Sequence, residues 1–135
     1  AYAHITYVTI YDCNESAANE TEIIPASVKG LIETTANTSI ANSNFANCTG
    51  QFLSGIYTTA SVAVYYSEFF NLTSTDDHSG GAAINAKGAV YATDSLFHSN
   101  SAAMGGAVWA QLTPMLSYCE FINNTATKQS QVCVL

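Results

Sequence analysis

The apolar positions of the chain recur at a fixed interval. An aliphatic residue close behind a glycine is followed 13 residues later by a phenylalanine, in the pairs Ile32 and Phe45, Ile56 and Phe69, Ile84 and Phe97, and Val108 and Phe121. From each phenylalanine to the next aliphatic residue the gap is 11, 15 and 11 residues. A fixed period of this kind is the signature of a solenoid, in which each unit stacks on its neighbours. The period is about 24 residues, with insertions of about ten residues within 16–29 and about four within 73–79.

The repeating unit is built from short alternating runs, such as VAVYY at 62–66 and AVYA at 89–92. Alternation with period 2 indicates strands, whereas a helical repeat would need longer segments with a period of 3.6 residues. The sequence therefore predicts an all-β fold, a parallel β-helix with three short strands in each coil and roughly five coils. An antiparallel β-sandwich is the alternative, but it would not require a fixed register.

The same alternation assigns the inward face of each predicted strand. Three columns of like residues result: Ile32, Ile56, Ile84, Val108 and Val132 on the first strand, Ile40, Val64, Ala92 and Leu116 on the second, and Phe45, Phe69, Phe97 and Phe121 on the third. Small residues precede the phenylalanines at a predicted bend, namely Ser43, Ser67, Ser95 and Cys119. Tyr11 is aligned with the phenylalanine position of an earlier unit, and Pro114 with the valines that precede the second column.

One domain, 1–135, is predicted, with coils at approximately 1–29 (partial, with the longer insertion), 30–54, 55–81, 82–106 and 107–131. Residues 132–135 would begin a further coil. Neither end of the chain resembles a polar cap. An uncapped β-helix exposes open ladder edges, so the chain is expected to be a segment of a longer solenoid or a subunit that stacks end to end into a filament.

Two short motifs mark the later coils. GGAV occupies 105–108, GGAAI occupies 80–84, and FxxN occupies 97–100 and 121–124. The pattern resembles the GGA[ILV] and FxxN repeats of the polymorphic outer-membrane proteins of chlamydial type, which also occur in surface proteins of some eukaryotes. The resemblance covers 30–131 and implies a right-handed parallel β-helix of pectin-lyase-like architecture in a surface adhesin or stalk. Earlier coils depart from it, because Cys48 and Leu72 replace the asparagine.

Composition excludes two classes of partner. The net charge is −7, with three lysines and no arginine, so the basic surface that a nucleic-acid partner requires is lacking. No run of 18 apolar residues occurs, so no membrane span is predicted. Charged residues make up only 10% of the chain, which indicates a neutral surface rich in hydroxyl and amide groups.

Sequons and cysteines both indicate the secretory route. Six N-x-[ST] sequons occur, at Asn14, Asn19, Asn37, Asn47, Asn71 and Asn123, which is more than chance predicts. Asn47, Asn71 and Asn123 share one position after the stacked phenylalanine and are expected to form an outward stripe of N-linked glycans. Asn14, Asn100 and Asn124 are assigned instead to a ladder one residue later. No other covalent group or cofactor is expected.

Four cysteines without metal-binding spacing favour disulfide chemistry. Cys13 and Cys48 fall on adjacent coils and are predicted to form a disulfide. Cys119 is interpreted as a buried thiol in the serine column, and the pairing of Cys119 and Cys133 stays open. Cys133 would pair beyond the chain or with another subunit.

No catalytic or metal-binding cluster is predicted. Parallel β-helices include polysaccharide lyases and glycosidases, but the latter require two carboxyl groups across a cleft. Glu68 and Glu120 share a column two coils apart, with Leu96 between them. The group Asp76, Asp77 and His78 is interpreted as a solvated loop, with a calcium site as the alternative.

An outward line of large side chains is predicted as a contact surface: Tyr57, Tyr65, Tyr66, Tyr91, Trp109, Met115 and Tyr118. Such a line indicates a lateral contact or a surface on which sugars stack, unless the segment 16–29 covers it. The prediction is a non-enzymatic, secreted, glycosylated structural protein of a filament, stalk or surface coat. An adhesin that binds a glycan or a host or matrix ligand is the alternative, and a carbohydrate-active enzyme is the second alternative.

Overall fold

The computed structural model describes residues 2–11, 16–17, 20–21, 28–128 and 132–134. In these residues the regular structure is all β, without a helix. Parallel sheets stack about 24 residues apart and form a β-solenoid of about four turns, as predicted. A short antiparallel pair, β3 (Ser16–Ala17) and β4 (Glu20–Thr21), lies within the longer predicted insertion.

Three parallel sheets run the length of the described coils. Sheet 1 contains β5 (Gly30–Thr34), β8 (Ser54–Thr58), β11 (Ile84–Ala86), β15 (Val108–Ala110) and β19 (Val132–Val134). Sheet 2 contains β1 (Tyr2–Thr6), β6 (Asn37–Ala41), β9 (Val62–Tyr65), β12 (Val90–Thr93) and β16 (Met115–Ser117). Sheet 3 contains β2 (Thr9–Tyr11), β7 (Asn44–Gly50), β10 (Glu68–Ser74), β13 (Leu96–His98), β14 (Ser101–Ala102), β17 (Glu120–Ile122) and β18 (Thr125–Ala126).

The observed register confirms the three predicted columns. Ile56 pairs with Ile32 and Ile84, Val64 pairs with Ile40 and Ala92, and the four phenylalanines pair in sequence. Phe45, Phe69 and Phe97 are fully buried, and successive rings of the four stack with centroids 5.0, 5.1 and 4.7 Å apart and planes within 4° of parallel. Repetition of one side chain at one register position therefore fills the core continuously.

One predicted alignment is wrong. Ile10, not Tyr11, pairs with Phe45, and Tyr11 pairs with Ala46. Ile10 is half-buried and packs against the core, so the wholly apolar residue extends the phenylalanine column. Pro114 lies outside β16, which begins at Met115, because proline has no N–H to give to the ladder.

The chain bends at two corners, where one residue in each coil has positive φ. The first corner connects sheets 2 and 3 and has φ values of 50–55° at Tyr7, Asn42, Tyr66, Asp94 and Tyr118. The second corner follows the phenylalanine column and has φ values of 52–57° at Asn47, Asn71, Ser99 and Asn123. Left-handed backbone is favoured by glycine, asparagine and aspartate among common residues.

A ladder of serine hydroxyls lies just inside the first corner. The backbone N–H of Ser43 donates to Ser67 Oγ, and that of Ser67 donates to Ser95 Oγ, each at 3.2 Å. Each hydroxyl in turn donates to the carbonyl two residues earlier, at 2.9–3.0 Å. The column predicted only as small residues therefore pairs backbone groups at the coils of Ser43, Ser67 and Ser95.

Asparagine forms the matching ladder at the second corner, as predicted for Asn100 and Asn124. Asn100 is fully buried, and its Oδ1 accepts the backbone N–H of Leu72 at 3.1 Å. Its Nδ2 donates to the Phe69 carbonyl and to Asn124 Oδ1, each at 3.0 Å. Asn124 Nδ2 donates to the Phe97 carbonyl at 2.8 Å. The ladder connects three coils through side-chain amides.

The paired glycines allow coils to approach closely before sheet 1. Gly81 has φ +64°, and a Cβ there would lie 1.9 Å from the Ile84 carbonyl oxygen. A Cβ on Gly106 would lie 2.3 Å from the Thr125 carbonyl oxygen in the same way. Both contacts are with backbone, which cannot move aside as a side chain can, so these positions require glycine.

Candidate functional site

The first corner presents tyrosines to solvent at every second coil. Tyr7, Tyr66 and Tyr118 are 80%, 64% and 87% exposed, and Asn42 and Asp94 occupy the coils between them. Neighbouring strands lie about 4.8 Å apart, so the tyrosines repeat at about 10 Å along the solenoid. The corner forms an edge of widely spaced aromatic rings with polar residues between.

Tyrosine is energetically unfavourable in the left-handed backbone conformation of this corner. A left-handed conformation costs an L-residue about 1–2 kcal/mol, and a bulky residue there is an outlier. Asn42 and Asp94 make the same bend with residues that tolerate it. The fold therefore does not require tyrosine at this corner, and the exposed ring buries little.

Substitution of Tyr118 by asparagine is expected to raise the free energy of unfolding by about 1 kcal/mol, because asparagine tolerates the left-handed backbone. Urea unfolding of the two proteins measures the difference. Tyr91→Asn is the matched control, since Tyr91 is exposed within β12 and has extended backbone. Asparagine is unfavourable in strands, so that variant should be no more stable than the wild type. A loss of stability in Tyr118→Asn would show that the tyrosine ring makes stabilising contacts.

A polar groove of about 420 Å³ lies beside this corner. Tyr66 and Tyr118 stand two coils apart at its sides, and Asp94 and Ser95 lie between them. Glu68 and Glu120 also border it, but the register places Leu96 between them, as predicted. The groove therefore combines two exposed tyrosines with carboxylates that lie on alternate coils.

Most of the predicted contact surface is exposed. Tyr65, Tyr91 and Met115 face solvent on sheet 2, together with Tyr66 and Tyr118 at the corner. Tyr91 pairs with Met115, whereas Tyr65 pairs with Thr93, so these side chains form two neighbouring columns rather than one line. The exposed aromatic area is continuous from sheet 2 to the first corner.

Trp109 does not belong to that surface, and its prediction as a contact residue is wrong. It is only 7% exposed, although its strand position faces away from the core. A Cβ on Gly80 would lie 2.9 Å from the indole, which shows how closely the backbone covers it, and Lys87 Nζ lies 4.8 Å from the ring centroid. Tyr57, in the same column, is half-buried, with Lys29 Nζ 5.6 Å from its ring centroid.

Four of the six sequons lie in the described residues. Asn37, Asn71 and Asn123 are exposed and Asn47 is half-buried, whereas Asn14 and Asn19 lie outside those residues. Asn71 Nδ2 donates to Asn47 Oδ1 at 2.9 Å, and Asn37 Oδ1 accepts the backbone N–H of Ser61 at 3.1 Å. Three of these asparagines occupy the left-handed second corner, so the backbone gives an independent reason for part of the sequon excess.

The cysteines differ in their surroundings. Cys48 is fully buried. Cys13 lies outside the described residues, so its pairing with Cys48 stays a prediction. Cys119 is a free, half-buried thiol, and burial raises its pKa, partly opposed by hydrogen bonds with the backbone of Ser95 and Ser117. Cys133 lies on β19, where its backbone pairs with Trp109.

The predicted acidic loop is held by local contacts. Asp76 Oδ1 accepts the backbone N–H of His78 at 2.8 Å and lies 3.5 Å from the His78 ring nitrogen. Within the described ranges, no three His, Cys, Asp or Glu side chains converge to hold a metal ion. Nor do those ranges contain a helix long and apolar enough to cross a membrane.

Comparison of the chain with protein-family models, with curated proteins and with solved structures finds no match. The resemblance to the GGA[ILV] and FxxN repeats therefore remains a prediction from the motifs.

Proposed function

We propose that the chain is a non-enzymatic structural protein of the extracellular space, a glycosylated β-helical subunit or segment of a filament, stalk or surface coat. The observation that carries the proposal is the unbroken stacking of like residues up to the last described coil. Phe121 stacks on Phe97 through one face of its ring and is only half-buried, whereas Phe45, Phe69 and Phe97 are fully buried. The columns thus provide a template for a further coil.

The outer strands of the described sheets also support the addition of a further coil along the solenoid axis. β1 and β16 are the outer strands of sheet 2, and β17 pairs with β13 on one side. Outer strands offer N–H and C=O groups for in-register pairing with a strand of the same chain or of another copy. Pairing of one end with the other is heterologous and does not close, so it produces a fibre.

Glycans and a disulfide complete the proposal. Asn71 and Asn123 are exposed on the second corner, so N-glycans there would cover the flank of a fibre and leave its ends open. The offset of 35 residues that pairs Ile10 with Phe45 also separates Cys13 from Cys48 in the sequence. A disulfide between these two cysteines would tie the first coil to the second and fits an oxidising compartment.

Secretion and glycosylation are tested by the intact mass of protein made in a eukaryotic secretory host, before and after enzymatic removal of N-glycans. A fall in mass is expected. Thr125→Ala removes the sequon of Asn123 without changing the corner residue, and Thr125→Ser keeps it, so only the alanine variant should lose one glycan. An unchanged mass for the wild type would contradict the glycosylation proposal.

A second candidate is an adhesin that binds its ligand through the exposed aromatic area of sheet 2 and the first corner. The tyrosines with left-handed backbone favour it, because they expose aromatic area at a cost in stability. If it is correct, Tyr66→Asn and Tyr118→Asn together abolish attachment to the ligand surface while the protein remains folded. Attachment at wild-type levels would exclude this role for the corner.

A further inference from the structure

We infer that the outer face of sheet 1 carries a binding site for an acidic saccharide, in a pocket between Lys29 and Lys87. The pocket has a volume of about 330 Å³ and is bordered by the two lysines together with Phe52, Tyr57, His78 and Asn85. A volume of this size is at the lower end of the range for small-molecule sites and suits one or two sugar rings. This inference does not depend on filament assembly.

The pocket concentrates the positive charge of an acidic chain. The protein has three lysines, no arginine and a net charge of −7, yet two of the lysines border this one pocket. Neither has a carboxylate within 4.0 Å among the described residues. Two ammonium groups without a counter-ion in the described part of the chain, held over aromatic rings at 5.6 and 4.8 Å, are arranged to attract an anion.

The acidic groups near the pocket are engaged elsewhere. Glu33 Oε1 accepts the backbone N–H groups of Lys29 and Gly30, at 2.6 and 3.2 Å. Asp76 is directed at His78, through its backbone N–H and its ring nitrogen. His78 itself is well exposed and adds positive charge only when protonated. Neither Glu33 nor Asp76 lies within 4.0 Å of a lysine ammonium group, so both ammonium groups can contact an anion in the pocket.

An unpaired acceptor points to a hydroxyl-bearing ligand. Asn85 Nδ2 donates to the Gly80 carbonyl at 2.9 Å, which fixes the orientation of the amide. Its Oδ1 is buried and has no hydrogen-bond partner among the described residues. Trp109 Nε1, in the ring beneath Lys87, is buried and unpaired within the same part of the chain. Buried unpaired polar groups are rare, and a ligand hydroxyl group can supply the missing partner of Asn85 Oδ1.

Together these groups select one ligand class. The lysines bind a carboxylate or sulfate, a sugar hydroxyl donates to Asn85 Oδ1, and the Tyr57 ring offers an apolar face for sugar C–H groups. A simple anion satisfies the lysines but not the ring or the amide oxygen. A neutral sugar satisfies the ring and the amide but leaves the charge unused. An acidic saccharide satisfies all three.

Titration of the protein with sialyllactose, sulfated lactose and unmodified lactose tests the site. Trp109 is the only tryptophan, and Lys87, which borders the pocket, lies over its ring, so a ligand that contacts Lys87 is expected to change its fluorescence. Saturable binding is expected for sialyllactose, for sulfated lactose or for both, and at least tenfold weaker binding for lactose. The comparison of the two acidic sugars identifies whether carboxylate or sulfate is the preferred group. Binding should weaken as the Debye length falls from about 30 to about 10 Å on raising salt from 0.01 to 0.1 M.

Two variants distinguish binding at this pocket from nonspecific attraction to the positive charge of the lysines. Lys29→Gln with Lys87→Gln should lower the affinity at least tenfold, because the charge is removed while most of the side-chain length is kept. Lys128→Gln removes the remaining lysine, which does not border the pocket, and should bind as the wild type does. The inference is overturned if lactose binds as tightly as the acidic sugars, if no ligand saturates, if a short poly-aspartate peptide binds equally well, or if Lys128→Gln weakens binding as much as the double variant.

Discussion

Replacement of Phe97 by alanine is expected to lower the free energy of unfolding by about 3–5 kcal/mol, the range for removal of a buried aromatic ring. Phe97 is fully buried and stacks on Phe69 at 5.1 Å and on Phe121 at 4.7 Å. Its removal leaves a cavity in the middle of the column and takes one ring contact from each neighbour. Adjacent coils cannot collapse into that space without breaking the ladders on either side.

Phe70→Ala is the matched control. Phe70 lies next to the column residue Phe69 on β10, is half-buried, and stacks on His98 at 4.9 Å. Since it faces outward, its removal opens no internal cavity, and a loss of about 1 kcal/mol is expected. Urea unfolding with equal m-values measures both differences. Equal losses for the two variants would contradict the assignment of the phenylalanine column as the core.

Replacement of Asn100 by alanine is expected to cost about 2–4 kcal/mol, because it leaves two buried backbone groups unsatisfied at about 1–3 kcal/mol each. The groups are the N–H of Leu72 and the carbonyl of Phe69, which Asn100 binds at 3.1 and 3.0 Å. The bond to Asn124 is lost as well. The loss of stability arises from unpaired polar groups rather than from a cavity left by the smaller side chain.

Ser99→Ala, at the neighbouring position, is the matched control for Asn100→Ala. Ser99 is half-buried at the second corner, and its hydroxyl contacts only the exposed side of the coil, 2.9 Å from His98 Nδ1. A change within about 0.5 kcal/mol is expected, as for surface substitutions in general. If Asn100→Ala proved as mild as Ser99→Ala, the asparagine ladder would contribute little to holding the coils together.

The sequence predicts the stacked columns well because they depend on spacing alone. A constant 13-residue interval between Ile56 and Phe69, or between Ile84 and Phe97, fixes strand register without knowledge of side-chain contacts. Alignment by residue type is weaker: it matched Tyr11 to the phenylalanines, whereas alternation places Ile10 there. The serine ladder was visible as a column, but not its hydrogen bonds, which form between residues 24 and 28 positions apart.

The candidate sites depend on features that spacing does not encode. Burial of Trp109 results from the close approach of Gly80 in the preceding coil. Lys29 precedes the inward column by three residues and Lys87 follows it by three, so nothing in the sequence relates them until the coils stack. Tyr66 and Tyr118 are predicted as outward residues, whereas Tyr7 is not, and the left-handed backbone of all three is a property of the corner.

Sedimentation velocity of the purified chain over a range of concentrations tests the central claim, that the stacked columns continue across the ends. The wild type is expected to form end-to-end assemblies that lengthen with concentration. Leu116→Lys places a charge in the half-buried inward column of β16 and should prevent assembly, whereas Ser117→Lys places the same charge on the outer face of that strand and should not. A wild type that stays monomeric at every concentration, or assemblies that both variants leave intact, would contradict the account.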